Sequence, residues 1–301
     1  MITFFKLYFM KKIPVLILLF ILKISMVFSQ NDTLLTSTIE CAEGEWELVF
    51  NDEFDDGTLD AEKWITWYPN TDNGSDQCAF CRTHGNEGQI YKDENVVVTD
   101  GRLKLISRRE SSTWFDQQRD YTSGMIHSRQ IFGLGRYEIR AKLPKGMGFW
   151  PAIWTYGNTT SELDILEAGM QHPRRYHMSI HNRNIRKMLH KRRWVLKDLS
   201  AGFHTYSMQW DSSRIEFGID NNVLFRISPY RSKWGCIIKR CPVKPGKYRK
   251  EPIFPPASET LHLIINLAIG NESTPFTSSP DEKTVFPNQM EVDWIRYYQR
   301  K

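Results

Sequence analysis

Short apolar runs with two-residue alternation recur from Trp46 to Tyr298, each closed by a turn signal. This spacing constrains the fold more than any other feature, because period two places successive side chains on opposite faces of a strand. Asn95-Val96-Val97-Val98 and Leu103-Lys104-Leu105-Ile106 flank Asp100-Gly101, a strong short-range hairpin signal. Further strands are expected at Gly124–Ser128, Gly135–Leu143, Phe149–Tyr156, Tyr176–Asn182, Leu261–Leu267 and Met290–Tyr298. Phe203–Trp210, Arg214–Ile219 and Val223–Ile227 read as a meander turning at Asp220-Asn221-Asn222. Only Ile185–Leu199 suggests a helix, and Ser228–Ser258 reads as an irregular Pro- and Lys-rich insertion. An all-β sandwich follows, rather than alternating βαβ units. No repeat or linker divides it.

One strand is chemically unusual. Ser161-Glu162-Leu163-Asp164-Ile165-Leu166-Glu167-Ala168-Gly169 places three carboxylates within six residues. Glu162 and Asp164 alternate with Leu163 and Ile165, but a regular strand would aim Glu167 at the opposite face. One inserted residue near Ile165-Leu166, a β-bulge, would return it to the side of the other two. Crowded carboxylates push their pKa values apart, leaving one protonated while another is ionised. A proton donor beside a carboxylate nucleophile is the pairing that glycoside hydrolysis with retention needs, at a separation of about 5 Å.

Targeting explains the charge. Residues 1–29 carry Lys6, Lys11, Lys12 and Lys23 around the apolar run 13–22, the pattern of a secretory signal. The run is too short to span a membrane. Residues 30–44 are expected to be a loose leader, with the catalytic domain at 45–301, secreted or periplasmic and monomeric. Setting the four signal lysines aside lowers the net charge from +5 to +1. Two basic blocks remain: nine Arg or Lys in Arg174–Lys197 and eight in Arg231–Lys250, neither with an acid. They could face an anionic polymer, but no nucleic-acid-binding motif accompanies them. Of the five cysteines, Cys78 and Cys81, and Cys236 and Cys241, could pair internally or with each other, or hold zinc together.

With these pieces in order, residues 46–299 resemble glycoside hydrolase family 16. The likeness rests on Leu48–Phe54, Phe132–Pro144, Phe149-Trp150-Pro151-Ala152-Ile153-Trp154, the acidic strand, Phe203–Tyr206, Ile264–Gly270 and Val292–Arg296. It implies a β-jelly-roll sandwich of two curved antiparallel sheets with an open concave cleft, and endo-acting, retaining cleavage of a β-linked polysaccharide. The ExDxxE spacing is similar to that of the bulged branch of laminarinases, agarases, porphyranases and κ-carrageenases. By that resemblance Glu162 is the nucleophile, Asp164 its assistant and Glu167 the acid/base. Trp150 would stack on a sugar, Trp154 would be core, and Asn86, Glu87, His181 and His177 would line the substrate path. Catalysis would need no cofactor. Some members bind a structural calcium through residues like Asp293 and the Gly101 carbonyl. Two departures bear on substrate: Phe254-Pro255-Pro256-Ala257 replaces the laminarinases' Trp-Pro-Phe-Asp, and Ser123-Gly124-Met125 replaces their Ser-Ala-Arg. The expected substrate is β-1,3-glucan, and the second reading is a red-algal galactan (agarose, porphyran or carrageenan). A non-catalytic carbohydrate-binding jelly-roll and a transglycosylase are also compatible with the resemblance.

Overall fold

The two residues of the Asp100-Gly101 turn both adopt positive φ, 57° and 67°, which is the type I′ geometry that matches the twist of a tight hairpin. Asp220 and Asn221, at φ 48° and 65°, close a second such hairpin. These turns and others like them build a two-sheet sandwich in the computed structural model, which describes residues 45–68, 75–157, 161–232 and 248–301. The expected signal, leader and second cysteine pair, Cys236 and Cys241, lie outside the described residues.

Strands are numbered in chain order. The first sheet holds β1 (Trp46–Asp52), β4 (Val96–Thr99), β5 (Arg102–Ser107), β10 (Gly135–Lys142), β15 (His204–Asp211), β16 (Arg214–Ile219), β17 (Asn222–Ile227) and β21 (Asn288–Arg300). Its order is β17-β16-β15-β10-β21-β5-β4, with β1 also paired to β21. The second sheet holds β2 (Trp64–Ile65), β9 (Met125–Phe132), β11 (Phe149–Tyr156), β12 (Ser161–Glu167), β13 (Arg175–Asn182), β14 (Lys187–Trp194) and β20 (Leu261–Ile269). Its order is β14-β13-β12-β11-β20-β9-β2. Both are antiparallel throughout. Three short ladders decorate them: β3 (Gln89–Tyr91) with β8 (Tyr121–Ser123), β6 (Ser112–Trp114) with β7 (Gln117–Arg119), and β18 (Tyr230–Ser232) with β19 (Tyr248–Lys250). This is the jelly-roll architecture.

The core lies between the sheets. Leu103, Leu105, Ile139, Tyr206, Met208 and Trp210 come from the first sheet, and Ile153, Leu163, Ile165, Leu166, Met178 and Ile180 from the second. Burying such side chains stabilises the fold by roughly 1.5–3 kcal/mol each relative to exposure. The opposite face of the second sheet is therefore free to carry polar side chains.

The stretch 185–199 is not helical. It holds β14, which pairs with β13 in unbroken register from Asn182↔Lys187 to Arg175↔Trp194. Met188, His190 and Arg192 alternate with the more buried Leu189 and Lys191, so the open edge of β13 outweighs the weak helical pattern. The 228–258 insertion is also partly regular, since β18 and β19 pair within it. No helix among the described residues is long and apolar enough to cross a membrane.

Candidate active site

Register fixes the acidic strand. On the β11 side, Ile153 pairs with Leu166 and Trp154 with Asp164, leaving Ile165 as an extra residue. On the β13 side, Asp164 pairs with Ser179 and Glu167 with His177, so Ile165 and Leu166 together stand opposite the single residue Met178. Ile165 and Leu166 both enter the core, each fully buried. The bulge at this point turns Glu167 back to the face of Glu162 and Asp164. All three line one cavity of about 550 Å³ on the open face of the second sheet.

The three carboxyls do not share one environment. Burial, then the charges of Asp164 and Glu162, push Glu167 well above the carboxylate range, with the nearby Trp150 indole acting in the opposite direction. Burial and Asp164 also raise Glu162, to about 7, while His181 and Arg183 pull it down. His181 Nε2 lies 3.0 Å from Asp164 Oδ2 and 3.6 Å from Glu162 Oε1. Burial disfavours charge on that imidazole, but the Asp164 hydrogen bond and the two carboxylates overcome it, and its pKa rises. The arrangement favours one proton on Glu167 and a negative charge on Glu162, which is the division of labour that acid-assisted displacement requires.

The cavity walls come from several strands. Trp150, Ala152, Trp154 and Tyr156 project from alternate positions of β11, and His177, Ser179 and His181 from β13. Trp154 is therefore not buried in the sandwich core, contrary to the sequence expectation. It packs on a small cluster of Tyr68, Tyr91, Met125 and Ile264, and its indole N–H donates to Asn266 Oδ1 at 2.8 Å. The Trp150 N–H is buried, and its interaction with Glu167 favours the charged form of that carboxyl. His177 Nδ1 meets His190 Nε2 at 2.9 Å. The two rings are parallel within 4°, and the Phe276 ring stands edge-on to His177 at 4.7 Å. Burial, reinforced by His190, depresses His177 to about 4, so it meets a ligand as a neutral imidazole.

Glu87 lines the cavity but is buried. Its carboxylate accepts from Gln89 Nε2 at 2.6 Å and from the Tyr91 hydroxyl at 3.2 Å. Tyr91 in turn accepts from Asn266 Nδ2 at 2.9 Å. A continuous hydrogen-bonded path thus joins Glu87 to Trp154. Asn86 sits one residue away in an exposed turn, outside the cavity lining. The sequence missed His84, Tyr156, His190, Asn266 and Phe276, all of which line the cavity. Alternation from Trp150 could have found Tyr156, and the polar interruption in Ile264-Ile265-Asn266-Leu267 could have marked Asn266. His190 was hidden by the helical expectation.

The remaining candidates lie elsewhere. Cys78 and Cys81 are bonded to each other, and the Cys78 carbonyl accepts from the Trp114 indole at 2.8 Å. Asp293 does not fit a calcium ion: one carboxylate oxygen pairs with Arg140 and the other lies 3.8 Å from Arg102 Nε. Gly101 occupies the neighbouring hairpin turn. Glu162, Asp164 and His181 bring ligand atoms within 4.8 Å of one another, a set with metal-ligand chemistry, but here His181 is shared between the two carboxylates.

A jelly-roll with such a cleft and a proton-sharing carboxylate set on one bulged strand defines an O-glycosyl hydrolase. The chain matches the family model described as Glycosyl hydrolases family 16 over residues 85–248. A β-glucanase of Rhodothermus marinus is 30% identical over 84% of this chain and 85% of its own length. A glucan endo-1,3-β-glucosidase of Cryptopygus antarcticus is 28% identical, covering 85% of this chain and 93% of its own. The catalytic domain of an endo-1,3-β-glucanase (laminarinase) from Thermotoga petrophila RKU-1 superposes with a TM-score of 0.68 at 28% identity, over 86% of this chain and 99% of that domain. The chain belongs to glycosyl hydrolase family 16.

Proposed function

We propose that this protein is a secreted, endo-acting, retaining hydrolase of β-1,3-glucan. The observation that carries the reading is the Ile165 bulge, which brings Glu162, Asp164 and Glu167 to one cavity while their surroundings hold Glu167 more strongly protonated than Glu162. In the first step Glu162 attacks the anomeric carbon as Glu167 gives its proton to the departing glycosidic oxygen. In the second, Glu167 takes a proton from water, whose oxygen displaces Glu162 from the sugar. Asp164, hydrogen-bonded to His181, holds that imidazole where it supports the charge on Glu162.

The glucan preference rests on the named relatives and on how the first basic block is used. Arg175 stacks on Trp194, Arg183 on Tyr156 and Lys191 on Phe225, while Lys197 pairs with Asp220 at 2.9 Å. Four of the block's nine cations are thus engaged by the protein's own side chains and one more, Arg192, lines the cavity, so the block is not a free cationic surface of the kind a sulfated galactan would need. Met125, where laminarinases carry Arg, is buried beneath Trp154, and a Cβ at Gly124 would lie 2.5 Å from the Asn95 carbonyl oxygen. That departure therefore reflects packing under the cleft floor. Reducing-end release from laminarin, agarose, porphyran and carrageenan in parallel tests the assignment. Cleavage of laminarin with first release of the β-anomer, read by proton NMR, is the expected result. Cleavage of a galactan alone, or first release of the α-anomer, would overturn it.

A further inference from the structure

Trp194 ends β14 as a residue 63% exposed, the most exposed tryptophan among the described residues. Edge strands are normally protected by charge, as Lys187, Lys191, Arg192 and Arg193 protect this one. A bare indole there is contrary to that pattern. A packed tryptophan would bury roughly 150–250 Å², so leaving this ring in water forgoes a large stabilisation.

Its position follows from register. Arg175↔Trp194 lies two residues beyond His177↔Arg192 with no break in the ladder. Alternation places Trp194 on the side of Met188, His190 and Arg192, which line the cavity. Two residues of strand advance roughly 7 Å, a step comparable to one sugar ring. The displacement runs past His177, the partner of Glu167, and away from His181, the partner of Glu162. The Arg175 guanidinium lies 4.8 Å from the indole centroid, and the His172 ring approaches at 6.5 Å. One side of the ring is thus backed by protein while much of its surface remains open.

We propose that Trp194 is a sugar-stacking platform that extends the cleft on the Glu167 side and holds a glucosyl ring of the polymer remote from the scissile bond. Continuity with the cavity row argues for the occupant: a polysaccharide crossing the cleft reaches this ring next. The apolar C–H face of a pyranose packs on an indole, and the backing guanidinium keeps the ring from swinging away. The inference rests on the functional reading above.

The test compares wild type, W194A and W194Y on laminarin and on a short laminari-oligosaccharide, together with laminarin affinity electrophoresis in an E162A background. W194A is expected to lose about five- to tenfold in kcat/KM on the polymer, through KM, while retaining wild-type kinetics on the short substrate. W194Y, which keeps an aromatic face, should recover most of the loss. Unchanged polymer kinetics and retardation in W194A would overturn the proposal. So would equal losses on both substrates, or a wild-type dimer in sedimentation that W194A dissolves, which would make the ring a contact for a second copy. Should wild type leave β-1,3-glucan uncut, the functional reading fails, and the same electrophoresis on whichever polysaccharide is cut still decides the role of Trp194.

Discussion

Glu162 and Glu167 share a strand and a cavity, yet their surroundings separate them. Glu162 must lose its proton and Glu167 must keep one, so kcat/KM should rise with pH through an apparent pKa near 7 and fall again at higher pH. Replacing His181 with Asn removes a group that pulls Glu162 down, so the acidic limb of that profile should move to higher pH. E162A and E167A should each lose about 10²–10⁴-fold or more in kcat; added azide should restore E167A on an activated aryl glycoside, where no proton donor is needed. Glu87 makes a separate prediction about stability. Its burial raises it from 4.5 to about 7, so the folded chain holds a proton that the unfolded chain releases near pH 4.5. Stability from this group is complete below about pH 4.5 and is lost as pH rises through about 7, by roughly 3 kcal/mol at most. E87Q carries no charge and should melt higher than wild type at pH 8, with a shallower decline in Tm from pH 5 to 8.

Among the elements, β12 makes the sharpest prediction. Because Ile165 is unmatched against β11 and shares the bulge with Leu166 against β13, deleting it closes the strand without reversing Glu167. The ΔIle165 chain should fold, keep measurable glucanase activity and melt roughly 5–15 °C lower, reflecting one lost core side chain. Deleting Leu163 instead moves Glu162 to the buried face, and that chain should be inactive. The contrast, measured by thermal shift and reducing-sugar release, separates a bulge that positions Glu167 from one that is merely present. This strand was the most legible part of the sequence, since alternation and its single violation sufficed to place the trio. β14 was the least legible. Its residues read weakly as a helix because the partner that makes them a strand, β13, holds them through backbone pairing that no local pattern records. The cavity residues it supplies, His190 and Arg192, were invisible for the same reason. Trp154 was misplaced against the period, since it follows Trp150 by four residues and alternation alone puts both on the cleft face.

At the scale of the molecule, the sheets and their core were readable from period and turn chemistry, whereas the ion pairs that lace the outer face of the first sheet were not. Asp293 illustrates this: sequence resemblance offered it as a calcium ligand, but Arg140 and Arg102, brought from other strands, occupy both its oxygens. Chelation with EDTA should accordingly leave the Tm unchanged, and added calcium should not raise it; a calcium-dependent shift of several degrees would contradict the ion-pair assignment. The order in which the strands lie has a further consequence. β21, the last strand in chain order, occupies the middle of its sheet, gripped by β10 on one flank and by β5 and β1 on the other. Of the described strands, this keystone is synthesised last. No growing chain can complete this sheet until that strand has emerged, so the pairings of its neighbours with it are long-range and late, and the core faces stay uncovered through most of the domain's synthesis.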